Sequence, residues 1–282
     1  MNEPLGTDVP EGFIRLKCNV SYDGTDFSGW GMQPGLRTVQ GVLEDALAEI
    51  FRVERIVIQC AGRTDAGVHA TGQVFHCDVP EKDFPGVDMI RYRLSRILDP
   101  DVVVTSVEFA PEHFDARFGA VSRTYEYRIN DGIGKPLLRR FVYHHGWQLD
   151  LDLMNQASQR LLGLHDFTSY CKPKDFGTTI RTLQKFEWRR NDEGIIIATV
   201  KADAFCYSMV RMLVGALLDV GRGKRPVEWV SEYLDGKERE TGVFVVPAHG
   251  LTFINVEYAP DSELAAQVAK TKRTRIEGDP DS

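Results

Sequence analysis

The sequence predicts an α+β protein made of two related halves, and three observations carry that reading. Residues 13–109 spell strands and helices in the order β-α-β-β-α-β. Residues 122–258 repeat the order once an extra hairpin strand and an extra helix are set aside. The composition, 43% hydrophobic and 27% charged, is that of a globular chain, and its 282 residues suffice for two small domains sharing a core.

The first half is read as follows. Residues 13–22 (FIRLKCNVSY) alternate apolar and polar, the pattern of a strand with one buried face. In 38–51 the residues Val39, Leu43, Leu47 and Ile50 recur at helical spacing. Residues 55–60 and 72–79 read as strands, and 88–98 as a helix with Ile90, Leu94 and Ile97 on one face. Residues 102–109 (VVVTSVEF) close the half as a strand, which completes the split βαβ order of a ferredoxin-like unit.

In the second half, strands are expected at 122–129 and 141–149, a helix at 152–162 and strands at 179–190 and 195–203. Helices follow at 206–220 and 226–235, with a last strand at 251–258. The expected divisions are an extension at 1–12, an N-terminal domain at 13–115, a C-terminal domain at 116–260 and a charged, disordered tail at 261–282. A cleft between two such halves is a natural place for a substrate.

Bulk properties narrow the function. The opening MNEPLGTDVPEG is acidic and poor in apolar residues, unlike a signal peptide. No stretch approaches the ~20 apolar residues of a membrane span, so the cytoplasm is the expected location. Cys18, Cys60, Cys77, Cys171 and Cys206 are odd in number and contain no C-x-x-C pair, which argues against a zinc site or a disulfide framework and predicts buried free thiols. The net charge of −7 hides an asymmetry: residues 111–225 carry +5 and the rest −12. A polyanion needs a local basic surface rather than a basic protein, although the asymmetry also fits ordinary solvated charge.

The densest chemistry lies in Cys60-Ala-Gly-Arg-Thr-Asp-Ala-Gly-Val-His-Ala-Thr-Gly-Gln73, between two expected strands. Gly62, Gly67 and Gly72 permit tight turns and close approach. Arg63, Asp65, His69 and Gln73 concentrate charge and hydrogen-bonding groups in one loop, the usual seat of function on a rigid sheet. From residue types alone, an ordinary turn capped by Asp65 fits as well.

The run from Gly62 to Gln73 resembles the signature of the tRNA pseudouridine synthase A family. Further matches follow in order: Tyr22-Asp-Gly-x-x-Phe27-x-Gly29-Trp30 with Thr38-Val-Gln40, then Phe114-Asp-Ala-Arg117, Arg123-Thr-Tyr125-Glu-Tyr127 and Leu162-Gly-x-His-Asp166. Lys201-Ala-Asp-Ala-Phe205, Met209-Val-Arg211-x-x-Val214-Gly215 and Gly250-Leu251 complete the likeness, which spans about residues 13–260. Gly31-Met32-Gln33 and residues 170–178 depart from it.

The resemblance implies a pseudouridine synthase fold and conversion of uridine to pseudouridine at positions 38, 39 and 40 of the tRNA anticodon arm. It also implies a homodimer. The reaction breaks a glycosidic bond, turns the base and rejoins it through C5, so no cofactor or metal is expected. The family pattern assigns the carboxylate to Asp65, an orienting guanidinium to Arg211 and the pocket tyrosine to Tyr125. A buried aspartate is otherwise driven to its neutral form, and a nearby arginine opposes that.

Arg63, His69, Gln73, Arg123, Tyr127 and Leu251 are the expected substrate-binding set. Arg63 is placed to fill the space of a flipped base or hold phosphate, while His69 either donates to phosphate or knits the loop. Lys135, Arg139, Arg140, Lys172, Lys174, Arg222, Lys224 and Arg225 are the candidate backbone-phosphate contacts. The rival reading is a non-catalytic tRNA-binding chaperone on the same scaffold.

Overall fold

The computed structural model describes residues 8–172, 178–236 and 243–276. The expected extension before residue 8, Lys174 and the end of the expected tail from residue 277 lie outside the described residues. The chain divides into two compact units. One comprises the chain up to Val121 together with Phe253–Thr274, and the other centres on Ser122–Thr252. Among the described residues no helix is long and apolar enough to cross a membrane.

The first unit begins with β1 (Phe13–Tyr22), α1 (Val39–Phe51) and β2 (Ile58–Cys60), followed by β3 (His69–Pro80), α2 (Val87–Ile97) and β4 (Val102–Phe109). The alternation read in β1 is real: Leu16, Cys18 and Val20 are fully buried on one face, while Arg15, Lys17 and Asn19 take the other. Thr38 Oγ1 accepts the Gly41 N–H and starts α1, whose Val39, Leu43, Leu47 and Ile50 are buried as the spacing predicts. The strand order is β4-β1-β3, β2 also pairs with β3, and all these pairings are antiparallel.

Register explains the second face of this sheet. Lys17, His76 and Gln59 form one row across three strands, and Arg15 and Asp78 face each other two residues on. Arg15 grips Asp78 with two hydrogen bonds of 2.7 and 2.8 Å and donates a third to the Phe114 carbonyl at 3.0 Å. Segment 114–118 lies across this polar row. Phe114 meets His76 edge-on, and the Ala116 N–H donates to His76 Nδ1 at 3.1 Å. A polar layer is therefore covered by a short coil, with its buried Arg15–Asp78 ion pair closed by bidentate bonding.

The second unit runs through β5 (Ala120–Asn130), β6 (Tyr143–His144), α3 (Leu151–Gln159), β7 (Gly163–Asp166), β8 (Ile180–Arg190) and β9 (Ile196–Ala202). Helices α4 (Met209–Gly221) and α5 (Trp229–Asp235) follow. Its strand order is β5-β9-β8-β7, antiparallel throughout, with β6 parallel to the end of β5. In α4 every residue except Arg211 and Asp219 is buried, as expected for a helix apolar all round. The chain then forms β10 (Leu251–Tyr258) and α6 (Leu264–Ile276). From Phe253 onward this segment rejoins the first unit, with β10 beside β3.

Several expectations are corrected. The strand read at 141–149 shrinks to two residues, because Gly146 turns the chain at φ 75° and Asp131 takes the Leu149 N–H as its own. The four-residue strand β7 falls within the Leu162–Asp166 motif, where no strand was expected. Helix α4 starts at Met209 instead of 206, since Ser208 is left-handed at φ 61°. The tail is not disordered where it is described: Leu264 and Val268, one turn apart, are buried and carry a helix. Cys171 and Cys206 are joined rather than free, because segment 170–172 runs beside the turn before α4, with the Lys172 N–H on the Tyr207 carbonyl. Cys18, Cys60 and Cys77 are buried free thiols as predicted.

Candidate active site

The loop from β2 to β3 places Asp65 at the first position of a tight turn, with the Val68 N–H on the Asp65 carbonyl at 3.1 Å. Gly67 is the third residue of that turn and has φ 78°, the left-handed position that glycine occupies without cost in a type II turn. The turn is anchored on both flanks. The Trp30 N–H donates to the Thr64 carbonyl at 3.0 Å, and the Tyr22 hydroxyl bonds Thr64 Oγ1 at 2.8 Å. Gln73 Nε2 donates to the Gly62 carbonyl at 2.7 Å. Burial pushes the Tyr22 phenol far above its ordinary value, so it stays protonated and serves as a strut.

Gly29 has φ 92°, and a Cβ there would stand 2.9 Å from the Thr64 carbonyl oxygen. This is why the strand-to-helix segment beside the Asp65 turn carries glycine at that point. Asp65 itself is half-buried and Arg63 is exposed. His69 and Gln73 face inward, at 3% and 0% exposure. His69 Nδ1 receives the Gly24 N–H at 3.0 Å and lies 3.1 Å from Asp23 Oδ1. The amide hydrogen makes Nδ1 an acceptor here, so the ring ties the loop to the segment after β1.

In the second unit Arg123, Tyr125 and Tyr127 share one face of β5 by period two, and all are buried. Arg123 Nη1 donates to the Asp203 carbonyl at 2.6 Å. Tyr125 stands edge-on to Phe205 at 5.2 Å between ring centres. Tyr127 donates to the Pro247 carbonyl at 2.8 Å, and its ring leaves no room for a Cβ on Gly250, which would meet Cζ at 2.6 Å. Gly250 is thus required so that buried Leu251 follows directly on the tyrosine ring. Burial raises the Tyr127 phenol, and Arg211 acts on it in the opposite direction. Arg211, on the otherwise apolar α4, donates from Nε to the Val246 carbonyl at 2.7 Å.

The structure therefore places Arg63 and Asp65 on the β2–β3 loop and His69 and Gln73 on the following strand β3 of the first unit, and Arg123, Tyr125, Tyr127, Arg211 and Leu251 in the second. Among the expected phosphate contacts, Arg222 and Arg225 stack on Trp147 and Trp229 at 4.7 and 4.8 Å, and Lys172 lies over Tyr207 at 5.2 Å. Lys224 pairs with Asp219 at 3.7 Å, Arg139 bonds the Pro136 carbonyl and Lys135 the Glu193 carbonyl.

Sequence reasoning gave no role to Asp115, whose Oδ1 accepts from Gln59 Nε2 and from the Arg117 and Phe118 amides at 2.8–2.9 Å. The signal was present in the aspartate of Phe114-Asp-Ala-Arg117, since Asp side chains accept the backbone N–H two residues on in an Asx turn.

A family model described as tRNA pseudouridine synthase matches residues 19–118 and 157–259. A protein of Streptomyces avermitilis is 49% identical over 278 residues, covering 96% of this chain and 98% of its own. One of Frankia casuarinae is 48% identical over 271 residues, covering 95% and 98%. One of Mycobacterium leprae is 46% identical over 279 residues, covering 93% and 96%. All three are named tRNA pseudouridine synthase A.

Proposed function

The chain belongs to the tRNA pseudouridine synthase family, and we propose that Asp65 is the carboxylate with which it works. It is an isomerase that converts uridine to pseudouridine in tRNA. We further propose that it acts on the anticodon arm, in the cytoplasm, as a homodimer whose halves are each split βαβ units.

The observation that supports Asp65 is the construction of its turn. Thr64 and Gly62, the residues that fix its backbone, are held by Trp30, Tyr22 and Gln73, and Gly67 supplies the required left-handed conformation. A half-buried carboxylate on so constrained a turn does not have to be reorganised when substrate arrives. The detached uracil must be held while it turns, and the reaction needs an ionised carboxylate in a water-poor place. In this reading Asp65 supplies the charge, Arg211 orients it, and Tyr125 stacks on the base and takes part in proton removal from C5. Arg63 takes the space of the flipped nucleotide or its phosphate. His69 and Gln73 act by holding the loop.

The test uses tRNA carrying tritium at uridine C5. The wild-type protein is expected to release tritium to water, and Asp65→Asn to fall by on the order of 10⁴-fold or more while still binding tRNA. Release by Asp65→Asn at the wild-type rate would remove Asp65 from its role. No release by the wild type from any unmodified tRNA would favour a non-catalytic binder.

A further inference from the structure

Trp147 has no role in the reading above. Of the four tryptophans, Trp30 and Trp188 are buried and Trp229 stacks on Tyr233, whereas Trp147 is 62% exposed. Its backbone is nonetheless fixed on both sides. Two residues before it, the His145 N–H donates to the Asn130 carbonyl at 2.9 Å, and two residues after it, the Leu149 N–H donates to Asp131 Oδ2 at 3.1 Å. Asp131 is itself gripped by Arg190 through bonds of 2.7 and 2.8 Å. The Asp150 N–H reaches the Gly221 carbonyl at 2.9 Å, and a Cβ on Gly221 would stand 3.3 Å from Leu149 Cδ2. The Trp147 segment is thereby docked on the C-terminal end of α4.

That end of α4 is basic. Arg222, Lys224 and Arg225 leave the helix in a turn closed by the Gly223 N–H on the Val220 carbonyl and the Lys224 and Arg225 N–H groups on the Asp219 carbonyl. Asp219 lies 3.7 Å from Lys224 and offsets one of the three charges. Glu228 is engaged by Arg160 at 2.7 Å, and Asp150 caps α3. The Arg222 guanidinium lies over the Trp147 ring at 4.7 Å and holds its plane. With a cation over one side, so large an exposure belongs to the other.

We propose that Trp147 is a stacking platform for one unpaired base of the tRNA, with the Lys224–Arg225 turn taking the phosphate beside it.

A single exposed apolar side chain needs no explanation. What points to RNA is a flat ring held in one plane with cations on the adjoining turn. Unpaired bases are recognised by stacking on aromatic rings, and backbone phosphates by Lys and Arg. A protein partner covering the indole would have to desolvate the same cations, which disfavours that occupant. Arg211 stands ten residues of α4 before Gly221, about 15 Å along the helix axis. The nucleotide on Trp147 is therefore a different one from the nucleotide undergoing isomerisation.

This inference rests on tRNA being the substrate, and its test is made independent of the chemistry. Binding of an unmodified tRNA transcript is measured against salt in an Asp65→Asn background. Adding Trp147→Ala is expected to weaken binding roughly 5- to 150-fold without changing the slope of log K against log salt, because the indole carries no charge. Trp147→Phe keeps an aromatic face and should stay within about threefold of the parent. Trp147→Leu keeps only apolar area and should fall with the alanine variant. Lys224→Ala and Arg225→Ala together should lower the slope by roughly 0.7–0.9, as for one lost phosphate.

Acrylamide quenching of indole emission reads the site directly. The tRNA should shield the emission that Trp147→Phe removes, and a fully paired RNA duplex should not. Unchanged affinity in Trp147→Ala, equal losses in the Phe and Ala variants, or emission still open to acrylamide in the tRNA complex would overturn the platform. Shielding that grows with protein concentration in the absence of RNA would overturn it in favour of a contact between two copies of the chain. If the parent binds no tRNA, the substrate reading falls with the platform, whereas intact binding without shielding removes the platform alone.

Discussion

Asp65 stands on a turn fixed by hydrogen bonds between side chains and backbone, whereas Arg211 stands on a helix fixed by apolar burial. In the first unit Tyr22, Thr64, Gln73, His69, His76, Arg15, Asp78 and Asp115 form polar contacts beneath and around the loop. In the second unit all of α4 but Arg211 and Asp219 is buried, and Gly215 lets the backbone of Phe244 pass against it. Polar supports specify direction but depend on protonation state, while apolar supports ignore pH and tolerate no added volume. The two halves should therefore fail under different challenges, and three experiments sharpen or break the contrast.

The largest effect is expected in the second unit. A Cβ on Gly215 would stand 1.7 Å from the Phe244 carbonyl oxygen. The obstruction is backbone and cannot rotate away, so Gly215→Ala should cost roughly 4 kcal/mol, above the usual range for overpacking. Urea unfolding followed by circular dichroism measures it, and a loss below about 1 kcal/mol would show that α4 is packed more loosely than described.

Next comes an acid effect confined to the first unit. Burial lowers His76 from 6.5 to about 4, with Asp115 and Asp78 opposing and Arg15 assisting. The unfolded ring binds a proton between pH 6.5 and 4 and the folded ring does not. Its contribution is therefore complete above pH 6.5 and is lost as pH falls toward 4. About 3 kcal/mol is at stake. Stability measured across this window should fall in the wild type and flatten in His76→Gln. Equal slopes would mean that another group controls the acid limb.

The smallest effect on stability, and the most specific on rate, is that of Tyr22→Phe. It removes a 2.8 Å bond to Thr64 Oγ1. Stability should drop by about 1 kcal/mol, while kcat for pseudouridine formation falls about tenfold through misplacement of the turn. If kcat is unchanged, the Tyr22 strut does not position Asp65.

Where side chains alternate or recur at helical spacing over seven or more residues, the elements were legible: β1, α1, α2, β8, β9 and β10 lie within a few residues of their expected places. The misses have local causes. β6 and β7 are two and four residues long, too short to show a period. Among its described side chains α6 buries Leu264 and Val268, within a strongly charged run, so its apolar signal is thin. The pairing of Cys171 with Cys206 joins residues 35 apart in sequence, a proximity that spacing does not announce. At the candidate site the motif located Asp65 and its glycines. It did not show that His69 and Gln73 turn inward, because residue type gives hydrogen-bonding capacity without direction.

The route of the chain's last segment has a consequence for biosynthesis. Gly72 of β3 seats the carbonyl of Ile254, and Leu264 closes over Gly119, so the unit that bears Asp65 is completed by residues translated after Ser122–Thr252. Residues 122–252 of the other unit therefore emerge from the ribosome between its two parts. A nascent or truncated chain lacking β10 leaves β3 without that neighbour, so assembly around the Asp65 turn waits until residues 253–258 are made.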